Sequence, residues 1–175
     1  MKPQVSIHYS FLCGLCVFII SSIVGSFDST QPFWFAFVLT TPGIAYALIA
    51  VKSDDKAIFA IMSGILNLAV TFVSCMLYGF TVITAGPAMV FYFLLYRSIV
   101  DSNLNLRKGV LYSLLFGTIS GIPPLVAFYN SSGEYDFIII SALYPLWQTL
   151  FAVALKLSAK PNTQNIIQPP SVTTA

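Results

Sequence analysis

Residues 57–100 read AIFAIMSGILNLAVTFVSCMLYGFTVITAGPAMVFYFLLYRSIV, and the only charge in this stretch is Arg97, near its end. The hydrocarbon core of a bilayer is about 30 Å thick, and roughly 20 apolar residues of helix cross it. A continuous helix over 57–100 would be about 66 Å long at 1.5 Å per residue, so the chain must turn back once. The turn is expected at residues 78–80. The stretch therefore predicts two antiparallel membrane-spanning helices.

The same length criterion identifies four further apolar segments outside this stretch. β-barrel strands need only about 10 residues and alternate apolar with polar side chains, whereas these segments are about twice as long and do not alternate. The sequence therefore predicts an all-α, polytopic membrane protein, a bundle of six transmembrane helices. The predicted spans are 7–27, 32–51, 57–77, 81–100, 109–129 and 137–157.

Composition supports the same class of protein. Of the 175 residues, 57% are hydrophobic and 8% are charged, and the mean hydropathy is +0.85. Soluble domains carry about 25% charged residues. These values exclude a water-soluble monomer, a disordered chain and a nucleic-acid-binding protein with a basic face.

The distribution of basic residues predicts how the chain is threaded. Lys and Arg in short loops are retained on the cytoplasmic side of the membrane. If the N-terminus is cytoplasmic, all eight Lys and Arg fall on that side, and the only charged residues in the outer loops are acidic: Asp28, Glu134 and Asp136. We therefore expect both termini in the cytoplasm and a multi-pass protein of the cell membrane, the bacterial inner membrane. The basic residues are Lys2, Lys52, Lys56, Arg97, Arg107, Lys108, Lys156 and Lys160.

The two ends of the chain differ in character. Val24 and Ser26 would suit signal-peptide cleavage after Ser26, but the apolar run is longer than the usual 7–15 residues, which favours an uncleaved first helix. Residues 158–175 are polar and proline-containing, and they predict a disordered cytoplasmic tail after a transmembrane domain over 1–157.

Small residues and prolines indicate how the spans pack. Pairs of small residues four apart allow close approach of helices, and prolines inside spans free a carbonyl and kink the helix. The kinks could outline a cavity or only help the helices pack, and both interpretations stay open. The predicted packing residues are Ser21, Gly25, Ala60, Gly64, Gly117 and Gly121; the predicted kinks lie at Pro42, Pro87, Pro123, Pro124 and Pro145.

Side chains typical of catalysis are scarce in the spans. No Asp, Glu, Lys or Arg lies in the central part of any predicted span, and the sole histidine, His8, lies at the edge of the first. Cys13 and Cys16 form a C-x-x-C inside an apolar helix, where packing is the simpler role, and two thiolates do not complete a zinc site. We expect no enzyme activity, no metal and no cofactor.

Neutral polar side chains in the spans are the remaining candidates for a site. A buried amide needs partners, so Asn67 and Gln148 should face the bundle interior. They could join helices, or they could bind a neutral small molecule beside Thr71, Tyr144, Trp147 and Tyr46. Other aromatic residues are predicted to form belts at the membrane surfaces. The inner belt would contain Tyr9, Tyr92, Tyr96 and Tyr112.

Two classes of function follow from these patterns. The first is a membrane protein that binds or transports a neutral small molecule without catalysis. The second is a non-transporting interaction protein, either an assembly factor or a toxin-immunity protein, that contacts another membrane protein through Gly117 and Gly121 or through Ser21 and Gly25. In both classes the lipid bilayer is the surrounding partner and no nucleic acid is bound.

Overall fold

A computed structural model describes residues 6–27, 43, 46, 51, 54–76, 81–130 and 143–160. These residues are helical apart from short turns and contain no strand, so the all-α prediction is confirmed for this part of the chain. Of the predicted span 32–51, only Gly43, Tyr46 and Val51 are described, and the first two are helical. Pro42 and residues 161–175 of the predicted tail lie outside the described residues. The helices are α1 (Ile7–Phe27), α2 (Lys56–Met76), α3 (Thr81–Ile99), α4 (Leu106–Asn130) and α5 (Leu143–Ser158).

Fewer helices meet the length and hydropathy criteria for a membrane span than the six that the sequence predicts. Within the described residues, one helical segment, Val82–Ile99 of α3, is both long and apolar enough to cross a membrane. The apolar parts of α1 and α2, Ile7–Ile20 and Lys56–Val70, are shorter. The six-span bundle therefore stays a prediction.

The helices pack in the order α2, α3, α4, α5 and α1, and α3 with α4 forms the most extensive pair. The α3–α4 connection is held by its own hydrogen bonds. The Arg97 Nε donates to the Leu104 carbonyl at 3.1 Å, and the Asn105 side chain caps α4 by accepting from the Lys108 N–H at 3.1 Å. The Asn105 N–H donates to the Ser158 carbonyl at 2.8 Å, which fixes the end of α5 against the start of α4.

Glycines allow α3 and α4 to approach closely. A Cβ on Gly117 would lie 2.5 Å from the Ala85 carbonyl oxygen and 2.8 Å from the Gly86 Cα. A Cβ on Gly109 would collide with the ring of Phe93. Only hydrogen fits at these positions, and at Gly117 the backbones of the two helices are in direct contact. Gly117 is thus covered by α3 of its own chain.

The charged side chains lie at one end of the helices. Among the described residues, every Asp, Lys and Arg belongs to the start of α2 or α4, the end of α3 or α5, or the turns beside them. These ends are neighbours, since the rings of Phe59 in α2 and Tyr96 in α3 are 5.8 Å apart and Asn105 is bonded to Ser158. One end of the described bundle is therefore charged. The described residues of the opposite end carry no charge.

Apolar side chains cover the outside of the described bundle as well as its core, unlike the surface of a water-soluble protein. On α2 the exposed face is apolar, and Ile61 and Phe72 are each 64% exposed. The opposite face of the same helix buries Ser63 and Gly64. Elsewhere, too, fully or almost fully buried positions hold polar side chains; these are Ser10, Ser113, Ser120, Gln148 and Ser158.

Candidate functional site

Six aromatic side chains from four segments meet near the charged end and form what we call the aromatic cluster. Phe151 of α5 is fully buried at its centre, with ring centroids 5.3 Å from Tyr46, 6.2 Å from Tyr92 and 5.6 Å from Trp147. Most of these pairs have the edge-to-face geometry that aromatic quadrupoles favour. The members of the aromatic cluster are Tyr46, Phe59, Tyr92, Tyr96, Trp147 and Phe151.

A hydrogen-bonded group adjoins the aromatic cluster at Ser63. The Ser63 hydroxyl lies 3.1 Å from the Gly43 carbonyl and 3.0 Å from the Ala60 carbonyl, and its single proton is shared between these two acceptors. The Tyr92 hydroxyl donates to the Ser63 carbonyl at 3.0 Å. A Cβ on Gly43 would come within 2.9 Å of the Tyr92 hydroxyl. These contacts hold Gly43 against both α2 and α3.

The predicted binding residues fall on α2 and α5. Gln148 is fully buried, and Trp147 packs its ring against Tyr92 at 5.0 Å and stacks on Phe151. Trp147 is thus part of the aromatic cluster rather than an open wall. Thr71 and Tyr144 lie on α2 and α5, but their side chains are outside the described residues.

Asn67 has an unusual environment. It lies one turn beyond Ser63, on the same face of α2, and it is half-buried. Its Nδ2 is fully buried and has no hydrogen-bond acceptor within the described part of the chain. A buried donor without a partner is destabilising by about 1–3 kcal/mol. This amide therefore has a donor that the described residues leave unused.

An apolar groove runs between α2 and α3 on the outer side of the bundle. It has a volume of about 310 Å³. Its α3 wall contains Pro87, which is exposed and lies inside the helix. The described residues that line it are Leu66, Ala69, Val70, Val73, Ile83, Thr84, Pro87, Ala88 and Phe91.

The other predicted packing and kink residues are distributed along the helices. Gly64 and Gly121 are buried and Ala60 is half-buried, whereas the side-chain positions of Ser21 and Gly25 on α1 are not described. Pro123 is exposed in α4, the side chain of Pro124 beside it is not described, and Pro145 lies in the first described turn of α5.

Groups able to bind a metal are not assembled in the described residues. No cluster of three or more His, Cys, Asp or Glu side chains is found there. Cys13 is buried and Cys16 is exposed on α1, and both are free thiols.

The chain matches no protein-family model, no curated protein and no solved structure at a significant level. The site must therefore be interpreted from its own residues. Sequence reasoning missed Ser63 and Phe151, because a serine and a phenylalanine in an apolar span carry no distinguishing signal. It identified Asn67 because an amide is rare in such a segment.

Proposed function

We propose that this chain is a multi-pass membrane protein that binds or passes a neutral small molecule within its helix bundle, without catalysis. The bundle would contain the six predicted helices, with both termini in the cytoplasm. The observation that carries the proposal is the buried Asn67 Nδ2, a hydrogen-bond donor with no acceptor in the described residues.

The exposed apolar surface supports the membrane location. Large apolar side chains such as Ile61 and Phe72 face outward while Ser63 and Gln148 are buried. Exposure of extended apolar surface to water is unfavourable, and lipid removes that penalty. The charged end of the bundle supports the threading, because the predicted cytoplasmic residues Lys56, Arg97 and Lys156 all belong to it.

The chemistry of the interior supports a neutral ligand. The described residues place no ionised side chain beside Asn67 or Gln148, so a charged molecule would remain uncompensated there. Asn67 would donate to a carbonyl, ether or hydroxyl oxygen of the ligand. The observations favour this role over partner contact through Gly117, because α3 already covers Gly117.

Cysteine labelling tests the threading. In a variant lacking the native cysteines, Ser131→Cys in the predicted outer loop should react with a membrane-impermeant maleimide in intact cells. Asn103→Cys, which is exposed at the charged end, should react only after permeabilisation. Equal reaction of both cysteines in intact cells, or recovery of the chain in the soluble fraction, would contradict the proposal.

Removal of the interior amides tests ligand binding. Native mass spectrometry of the purified chain should reveal a bound neutral mass, and Asn67→Leu combined with Gln148→Leu should reduce its occupancy at least tenfold. Ser98→Leu makes a similar polar-to-apolar change at an exposed site on α3 and should leave occupancy unchanged. The ligand proposal is wrong if the double variant and the wild type carry the same bound masses, or none.

A further inference from the structure

The charged end of the bundle has a basic corner where α4 begins and α5 ends. The Asn105 N–H donates to the Ser158 carbonyl at 2.8 Å, which brings these two helix ends together. Four basic residues lie within three positions of this bond along the chain, and the side chains of all four are exposed. The residues of the basic corner are Arg107, Lys108, Lys156 and Lys160.

The two helices that form the basic corner carry no acidic residue to offset its charge. Helix α4 and residues 143–160 contain no Asp or Glu. Elsewhere at the charged end the signs balance, since residues 52–56 hold two Lys and two Asp, and Arg97 and Asp101 follow each other at the end of α3. The Asp101 carboxylate also accepts from the Asn103 N–H of its own turn at 3.1 Å. Cytoplasmic retention of Lys and Arg does not require them to gather at one corner, so the threading alone does not explain this concentration of charge.

An apolar strip on the outer side of α4 continues from the basic corner. Leu111, Leu115 and Ile119 follow Arg107 at intervals of four residues, so these side chains lie along one side of the helix. All three apolar side chains are exposed, whereas Gly117 on the opposite side packs against α3. At 1.5 Å per residue the strip is about 18 Å long. One leaflet contributes about 15 Å to the hydrocarbon core, so the strip is as long as a leaflet is deep.

A cation at the end of an apolar strip matches the two parts of an anionic phospholipid. Arg offers a fork of N–H donors that fits phosphate oxygens, and Lys adds a compact positive charge. Basic clusters at the cytoplasmic ends of membrane helices attract anionic headgroups in this way. A zwitterionic headgroup brings a cation of its own, which the basic corner repels. A soluble phosphate would leave the apolar strip unused.

We propose that the basic corner binds the headgroup of an anionic phospholipid from the cytoplasmic leaflet, with the acyl chains lying along the apolar strip of α4. The inference rests on the membrane location and threading proposed above. It adds a site on the outside of the bundle that is separate from Asn67 and Gln148. The ligand is a lipid of the surrounding bilayer and not the neutral molecule of the interior.

Photolabelling of the full chain in phosphatidylcholine vesicles tests the site. The probe is phosphatidylglycerol carrying a diazirine in one acyl chain, and the matched probe is phosphatidylcholine with the same chain. Phosphatidylglycerol should label residues 107–119 at least fivefold more than the exposed apolar face of α2 at Ile61, Ile65 and Phe72. Phosphatidylcholine should label the two surfaces equally, because only the headgroup differs.

Two double variants distinguish the basic corner from a general attraction of opposite charges. Arg107→Gln combined with Lys108→Gln should lower the labelling of residues 107–119 by phosphatidylglycerol to the level of phosphatidylcholine. Lys52→Gln combined with Lys56→Gln removes the same charge from the predicted cytoplasmic side and should change that labelling less than twofold. Arg107→Lys keeps the charge and should keep the preference for phosphatidylglycerol.

Three results would overturn the inference. Equal labelling of α4 and α2 by phosphatidylglycerol would mean bulk lipid only, and equal losses in the two double variants would mean attraction to charge in general. Loss of the labelling in excess inorganic phosphate, but not in chloride of the same ionic strength, would make the basic corner a site for soluble phosphate. Flotation of the chain with the vesicles separates these failures from failure of the membrane proposal, since a chain that does not float refutes the latter.

Discussion

Gly117→Leu is expected to separate α3 from α4 and to lower the free energy of unfolding by about 3 kcal/mol or more. Even one added carbon at Gly117 would lie 2.5 Å from the Ala85 carbonyl oxygen and 2.8 Å from the Gly86 Cα. These are backbone atoms, so no side-chain rotation relieves the contact, and the whole helix must move. Because α3 and α4 form the most extensive helix pair, the movement affects the centre of the bundle.

The measurement is the temperature at which half of the detergent-purified protein remains monodisperse. A loss of about 3 kcal/mol corresponds to a decrease of roughly 6–12 °C for a chain of this size. Leu111→Phe enlarges an exposed side chain on the same helix and should change the midpoint little. A Gly117→Leu protein as stable as the wild type would mean that α3 and α4 are not in backbone contact here.

Phe151→Ala should have the second largest effect and should lower the free energy of unfolding by about 3 kcal/mol. The side chain is fully buried, and its ring contacts Tyr46, Tyr92, Tyr96 and Trp147. Lipid is as apolar as the protein interior, so the loss comes from packing and edge-to-face contacts rather than from exposure to water. The variant leaves a cavity where three segments meet.

The same thermal measurement tests the aromatic cluster. Phe72→Ala removes an equal volume from an exposed position on α2 and should leave the midpoint nearly unchanged. Phe151→Leu keeps part of the volume and should fall between the wild type and Phe151→Ala. Equal effects at Phe72 and Phe151 would indicate that the aromatic cluster contributes no specific packing energy.

The sequence predicts where along the chain a helix begins and ends better than it predicts which side chains of that helix face inward. The described helix α1 covers 7–27, the segment predicted from hydropathy, and α2 and α3 differ from their segments by one residue. The direction of a side chain is harder to predict, because a helix surrounded by lipid is apolar on its inner and outer faces alike. Tyr92 and Tyr96 illustrate the difference. Their depth suggested a belt at the membrane surface, yet both are buried in the aromatic cluster.

The sequence also predicts only in part which residues pack against each other. The GxxxG pattern singled out Gly117, but nothing in the sequence indicated that Gly86 and Ala85 would lie against it. Ser63 shows the same limit, since its hydroxyl bonds to Gly43, twenty residues earlier. Asn67 could be predicted as a candidate site residue from the sequence, because an amide in an apolar span needs a hydrogen-bond partner in any fold.

The packing of α1 against α5 has a consequence for biosynthesis. Residues 28–142 are made between these two helices, which at about 5–20 residues per second takes roughly 6–23 s. During that interval α1 lacks α5 and can pack only against segments made earlier, such as that of Tyr46, which lies in the same buried cluster as Cys13. Two of its hydroxyls are already satisfied within α1 and the residue before it, since Ser10 donates to the Ser6 carbonyl and Ser22 to the Phe18 carbonyl. These local bonds do not depend on the arrival of α5.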